Sequence, residues 1–201
     1  MADRLQVYLA GPEVFLPDAV EIGRRKKVLC ERYGFIGLYP FDNEAVPVAG
    51  ERLDRVIYRE NVHMIRRADF GIANLTPFRG PSADAGTVFE LGMLLGLGKP
   101  VFAYTNEVAD LLARLRHSRL AAYDTAAGVW RDPAGMAIED FGNADNLMLD
   151  ASLAEQGHTL IRIDAAPEQR YRDLRGFEAC LQAARERLAE APPRPVLAAA
   201  R

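Results

Sequence analysis

The stretch from Phe70 to Tyr104, FGIANLTPFRGPSADAGTVFELGMLLGLGKPVFAY, decides the fold. It holds one strand–loop–helix–strand unit. Phe70-Gly71-Ile72-Ala73-Asn74-Leu75 is a short apolar run of strand length. Thr76 to Ala83 is rich in Pro, Gly and Ser, which interrupt regular structure. Asp84 to Leu97 reads as a helix, apolar on most sides and therefore expected to be buried, and Gly98 is a good stop for it. Pro100-Val101-Phe102-Ala103-Tyr104 is the following strand. Strands joined through a helix are the pattern of a parallel sheet in an α/β domain.

The alternation extends outward from this unit. Leu5 to Ala10 reads as a buried strand ended by Gly11-Pro12. Pro17 to Tyr33 reads as a helix with Val20, Val28 and Leu29 apolar and Arg24, Arg25 and Lys27 on the polar face. Gly34 closes it, Phe35 to Tyr39 is a further strand, and Pro40 ends that strand. Residues 42–50 form a loop, and Glu51 to Ala68 a helix with a broken stripe of Leu53, Val56, Ile57, Val62 and Ile65. Beyond Tyr104 the pattern is weaker. Glu107 to Arg116 predicts a helix, and 118–142, with Gly128, Pro133, Gly135 and Gly142, an irregular excursion. Asp145 to Glu155 predicts a helix, Thr159 to Ile163 a fifth strand, and Pro167 to Glu190 a terminal helix. No linker divides the chain, so a single domain is expected over residues 1–190, with a disordered tail over 191–201.

Composition narrows the function. The chain has 201 residues, 49% hydrophobic and 26% charged, which suits a soluble domain with a real core. Its net charge of -3 argues against a nucleic-acid polymer as partner, though not against a single nucleoside or base. No apolar stretch approaches the ~20 residues of a membrane span, and Met1 to Arg4 leads straight into a strand. A cytoplasmic protein without membrane contact is expected. Cys30 and Cys180 read as buried free thiols. His63, His117 and His158 lack metal-ligand spacing, and no dinucleotide, P-loop or G-x-S-x-G motif is present. Neither metal nor cofactor is therefore expected.

The chemistry concentrates in Asn74 to Gly92. This segment passes from the carboxyl end of a strand, where open α/β sheets bind ligands, into a helix amino end. Asp84 and Glu90 stand six residues apart, and Glu90 lies among the apolar Val88, Phe89, Leu91 and Leu94. A charge in such company is costly unless paired or used, which makes Glu90 a candidate nucleophile. The spacing also fits structural roles. Thr87 to Glu90 matches a capping box and Asp84 a plain N-cap, so spacing alone leaves both open.

Tyr8-Leu9-Ala10-Gly11-Pro12, Ala73-Asn74-Leu75, Asp84 through Gly92 and Asn146-Leu147-Met148 together resemble the nucleoside 2-deoxyribosyltransferase family. The resemblance covers about residues 5 to 150, and the Asp84-to-Glu90 helix is its most specific part. It implies a flavodoxin-like three-layer sandwich with a central, mainly parallel five-stranded sheet. It also implies exchange of 2-deoxyribose between nucleobases by double displacement. Glu90 matches the nucleophile that attacks C1′, and Tyr8 the tyrosine that orients it. Asp84 matches a sugar-hydroxyl ligand, and Gly11 falls in the same substrate-binding set. Asn61 stands where some members carry an aspartate that protonates the leaving base; an amide can hydrogen-bond a base but is a poor proton donor. Asp69 is the nearest other carboxylate, and reads rather as a cap or a link to the strand. Glu44 matches a base-reading position and Phe15 could stack on a base. Asn146 and Met148 match residues that reach a neighbouring subunit's site, which implies a homo-oligomer with shared sites.

Deoxynucleosides and free nucleobases are the partners this resemblance implies. A related group hydrolyses deoxynucleoside 5′-monophosphates and places small hydroxyl residues where the phosphate sits. Here that position is Asp84, which would repel a phosphate but could accept a hydrogen bond from a free 5′-hydroxyl. Hydrolysis of deoxynucleosides or their monophosphates is the alternative activity. A non-catalytic nucleotide-binding module of the same fold, with Glu90 only a cap, is the alternative from another class.

Overall fold

The computed structural model describes residues 4–43, 46–48 and 50–189. Its centre is a five-stranded sheet built from β1 (Gln6–Ala10), β2 (Ile36–Leu38), β3 (Phe70–Asn74), β4 (Val101–Thr105) and a late strand at Ile161–Arg162. The spatial order is β2-β1-β3-β4 followed by the late strand, and every pairing is parallel. This is the flavodoxin-like order. The chain leaves β1 for β2 on one side and returns to β3 on the other. The crevice between the carboxyl ends of β1 and β3 is therefore the topological switch point, where ligands bind in such sheets.

Alternation along the strands assigns side chains to two cores. Tyr8, Ala10, Ala73, Val101 and Ala103 face α2 (Leu53–Arg67) and α3 (Ala85–Gly96), which contribute Met64, Ile65, Leu91 and Leu94. Val7, Leu9, Phe70, Ile72, Phe102 and Tyr104 face the other layer. That layer comprises α1 (Ala19–Arg32), which contributes Cys30, and a terminal helix at Arg175–Ala189, which contributes Phe177, Cys180 and Leu181. The central strands β3 and β4 are buried throughout, as strands covered on both faces must be. Gly71 allows α3 to approach β3 closely, since a Cβ there would lie 2.3 Å from Leu94 Cδ1.

Several expectations change. Residues 118–142 are not irregular: β5 (Ala122–Asp124), β6 (Val129–Arg131) and β7 (Ala137–Ile138) form a separate three-stranded antiparallel sheet. Its strands are too short to show a period, and Gly128 and Gly135, which suggested irregularity, sit at positive φ in its turns. The helix expected from Glu107 begins later, as α4 (Leu111–His117), because Asp110 caps it through Ala113 N–H. α5 (Leu147–Glu155) follows, then β8 (Ile161–Arg162) and α6 (Arg175–Ala189). Between β8 and α6 only a short 3-10 turn at Pro167–Gln169 forms. α3 is buried on one side only, with Phe89 and Leu97 exposed. On α1 the buried face is Ala19, Ile22, Gly23, Lys26 and Cys30, whereas Val20 and Val28 are exposed. Cys30 and Cys180 are free and buried, and burial pushes the Cys30 thiol up to about 12. Among the described residues no helix is long and apolar enough to cross a membrane.

Candidate active site

The pocket opens at the switch point. Gly11, Val14 and Phe15 follow β1, Pro40, Phe41 and Asn43 follow β2, α2 supplies Ile57 and Asn61, and the start of α3 supplies Asp84, Gly86, Thr87 and Glu90. The cavity is about 610 Å³ and its lining is mainly apolar, the size and character of a small-molecule site.

Glu90 is its chemical centre. It projects from the second turn of α3, behind a helix amino end whose exposed N–H groups carry positive potential. The Tyr8 hydroxyl donates to Glu90 Oε1 at 2.6 Å, and Asn61 Nδ2 lies 3.4 Å from the same oxygen. Burial pushes the Glu90 carboxyl up to about 7; the Tyr8 hydrogen bond opposes that, the Asp84 charge adds to it, and the Asn61 contact lowers it slightly. Burial, and then the neighbouring Glu90 charge, hold the Tyr8 phenol well above its ordinary range. Tyr8 therefore stays a neutral donor and Glu90 the acceptor.

The two structural readings of the α3 motif separate. Asp84 is the N-cap, its Oδ2 accepting from Thr87 N–H at 2.9 Å and from the Thr87 hydroxyl at 3.1 Å. Glu90 does not close a capping box, because Thr87 N–H is taken by Asp84 and the Glu90 side chain turns toward Tyr8 and the cavity. Asp84 both caps the helix and lines the pocket.

The structure brings Tyr8, Gly11, Phe15, Asn61, Asp84 and Glu90 together. Phe15 is half exposed and stacks on Phe78, with ring centroids 5.1 Å apart and planes 13° apart. The Arg79 guanidinium covers both rings, from a backbone at φ 57. Asp69 accepts from Gln6 N–H at 2.8 Å and so links α2's end to β1. Glu44 lies outside the described residues. Asn146 and Met148 do not line this chain's pocket. Asn146 caps α5 through Met148 N–H, its amide is held by Glu139 at 2.7 Å, and Met148 is exposed.

Sequence reasoning passed over two buried acids. Asp145 accepts from the Ser82 hydroxyl and from Ala83 N–H at 2.8 Å, tying down the end of the loop that leads to Asp84. Arg114 braces the same loop from behind, donating to the carbonyls of Pro81, Ala109 and Ala144. Glu13, just after Gly11-Pro12, is buried against Lys26. The available signal was Lys26 itself, four residues from both Ile22 and Cys30 and hence on the buried stripe of α1.

Fold and site together define an α/β protein with a buried, tyrosine-bonded carboxylate lining a cavity of small-molecule size at the sheet's switch point. The chain belongs to the nucleoside 2-deoxyribosyltransferase family, whose profile matches residues 7–148. It is 30% identical over 181 residues to an uncharacterized protein of Schizosaccharomyces pombe, covering 83% of this chain and 84% of that one. Among solved structures it is similar to a 2-deoxyribosyltransferase from Leishmania mexicana. That likeness has 28% identity and a TM-score of 0.63, over 90% of this chain and 97% of the other.

Proposed function

We propose that this protein exchanges 2-deoxyribose between nucleobases, with Glu90 as the covalent nucleophile. The Glu90 carboxylate attacks C1′ of a deoxynucleoside. The C1′–N bond breaks with its electron pair leaving on the base, which takes a proton from solvent. An acceptor base nitrogen then attacks C1′ of the glycosyl ester, loses its proton to solvent, and releases the carboxylate. Inversion twice gives net retention, the logic of a retaining glycosidase with a base in place of water.

The observation that carries this reading is the orientation of Glu90. Its carboxylate faces a cavity of about 610 Å³ and is held at 2.6 Å by Tyr8, while the helix start is capped by another residue. A cap needs none of that. Proton affinity near neutrality leaves much of Glu90 ionised at pH 7 and above, as attack requires. Tyr8 orients the carboxylate, and Asp84 beside it serves the sugar hydroxyls. Among the described lining residues Asp84 and Glu90 are the only acids.

A negatively charged Asp84 favours a nucleoside over a nucleotide. Hydrolysis is the competing outcome, since water can intercept the glycosyl ester. A second copy of the chain would bring Asn146 and Met148 to the site. Leu53, Ile57 and Tyr58 of α2 and Phe89 of α3 form exposed apolar surface near the pocket, which supports such pairing.

The test is base exchange. Deoxyinosine plus adenine should give deoxyadenosine, and Glu90→Ala should abolish this while retaining the fold and nucleoside binding. Faster release of base from deoxyinosine monophosphate than from deoxyinosine would move the assignment to the nucleotide hydrolases. Unaltered exchange in Glu90→Ala would end the covalent reading. Light scattering reads the oligomer.

A further inference from the structure

Glu13 is a buried carboxylate that the reaction does not use. It sits in the short turn Pro12–Phe15 after β1 and is 1% exposed. Its Oε1 accepts from three donors on three different elements: Lys26 Nζ of α1 at 2.5 Å, Asn74 Nδ2 of β3 at 2.8 Å and the Tyr104 hydroxyl of β4 at 2.9 Å. Lys26 is equally buried, with its ammonium 5.0 Å from the Phe177 ring centroid and 5.8 Å from that of Tyr104.

The network continues into the loop that leads to Asp84, the pocket residue at its far end. Asn74 Oδ1 accepts from Thr76 N–H at 3.0 Å and from the Thr76 hydroxyl at 2.5 Å. Thr76 Oγ1 in turn accepts from Asn106 N–H at 2.9 Å, and the Asn106 amide donates to the carbonyls of Arg170 and Asp173. Thr76 opens the loop that ends at Asp84. The turn after β1 rests on Glu13 directly, because a Cβ at Gly11 would fall 1.9 Å from Glu13 Oε2. Gly11, Val14 and Phe15 all line the pocket.

A buried ion pair is weak ground for stability, since apolar residues of similar volume often replace one without loss. What this one offers is geometry: one oxygen holds the turn after β1 at a fixed distance from the ends of β3 and β4. We infer that Glu13 is a positioning residue, whose contacts with Lys26, Asn74 and Tyr104 set the separation between the Gly11–Phe15 turn, which lines the pocket, and the Thr76–Ala83 loop, which carries Asp84 to it. Tyr8 and Glu90 stand on β1 and α3 and keep their own bond, so the nucleophile is untouched when this brace is lost. The functional half of the inference rests on the exchange reaction proposed above; the structural half does not.

The experiment pairs Glu13→Leu/Lys26→Met, which removes both charges, with Tyr104→Phe, which removes one donor and keeps the ring. Amide hydrogen exchange should quicken in residues 13–16 and 75–83 and hold steady in β3 and β4. KM for deoxyinosine should rise about tenfold in the double variant and a few-fold in Tyr104→Phe, more than kcat falls. The pH midpoint of kcat should stay in place, whereas a general loss of folded protein would lower kcat alone. Unchanged loop protection overturns the inference, whatever the activity. If the double variant does not fold, Tyr104→Phe decides by the same two readouts. A wild-type chain that does not exchange bases defeats the proposed reaction; one that exchanges, with variants of normal KM, defeats this inference instead.

Discussion

The Tyr8 hydroxyl and Glu90 Oε1 meet at 2.6 Å although 82 residues separate them in the chain. β1 supplies one partner and α3 the other, and the β1–β3 pairing, with Tyr8 opposite Gly71, brings the two elements into register. The bond opposes the burial that raises the Glu90 carboxyl to about 7. Tyr8→Phe removes that opposition at little cost in packing. Activity limited by ionised Glu90 should rise with pH through about 7 in the wild type. In Tyr8→Phe the rising limb should move to higher pH, and kcat/KM at pH 7 should fall roughly 10- to 100-fold, the worth of a hydrogen bond to a charged group. A pH–rate profile checks this, and an unmoved limb would separate Tyr8 from the nucleophile.

Asp84 acts in the opposite sense. Its negative charge is one cause of the raised Glu90 proton affinity. Asp84→Asn keeps an acceptor for Thr87 N–H and removes the charge, so the rising limb should move to lower pH. Asp84→Ala should do the same and also lose the cap, lowering stability by about 1 kcal/mol. Both should raise KM if the residue holds a sugar hydroxyl. Profiles for the two variants alongside Tyr8→Phe measure opposed movements around one group, and a common direction would contradict the electrostatics.

The sheet was legible in the sequence because β1, β3 and β4 are covered on both faces and so read as continuous apolar runs. The site was legible where its residues sit in one segment, as Asp84 and Glu90 do. The capping role of Asp84 and the turn of Glu90 toward Tyr8 could not be separated by spacing, since both residues satisfy the same helix-start pattern. Tyr8 was picked out by the family resemblance alone, since a tyrosine in a buried strand equally fits a core aromatic. Glu13 and Asp145 were hidden for a common reason, that their partners lie on other elements; Lys26, spaced with Ile22 and Cys30 on the buried stripe of α1, was the one sign of such a partner. The small sheet β5-β6-β7 was missed because strands of two or three residues show no alternation.

Asp145 predicts a defect at a distance from the chemistry. It is buried, lies 3.8 Å from the Arg114 guanidinium, and holds Ser82 and Ala83 just before Asp84. Asp145→Ala leaves those donors unsatisfied and should lower stability by roughly 1–3 kcal/mol. Freed of this anchor, the loop should present Asp84 in a wider range of positions. Catalytic efficiency should then fall further than the loss of folded protein explains. Urea unfolding together with kinetics at a temperature where the variant is fully folded separates the two effects, and normal kinetics in folded Asp145→Ala would make it a purely structural anchor.

Glu90 itself should be a burden on the fold. Its carboxyl binds protons more tightly when folded, at about 7 against an ordinary value of 4.5, so the folded state holds a proton over that window which the unfolded chain releases. Glu90's contribution to stability is therefore intact below pH 4.5, erodes as pH rises through the window, and reaches its full cost above about 7. Glu90→Gln keeps the shape and an acceptor for Tyr8 but cannot ionise. It should match the wild type near pH 4.5 and exceed it at pH 8 by roughly 1–3 kcal/mol, the usual gain when a strained functional group is neutralised. Thermal unfolding of both proteins across pH 4.5 to 8 tests this directly. Curves that stay parallel throughout would mean that Glu90 is solvated in the folded protein, which would remove the reason for its raised proton affinity.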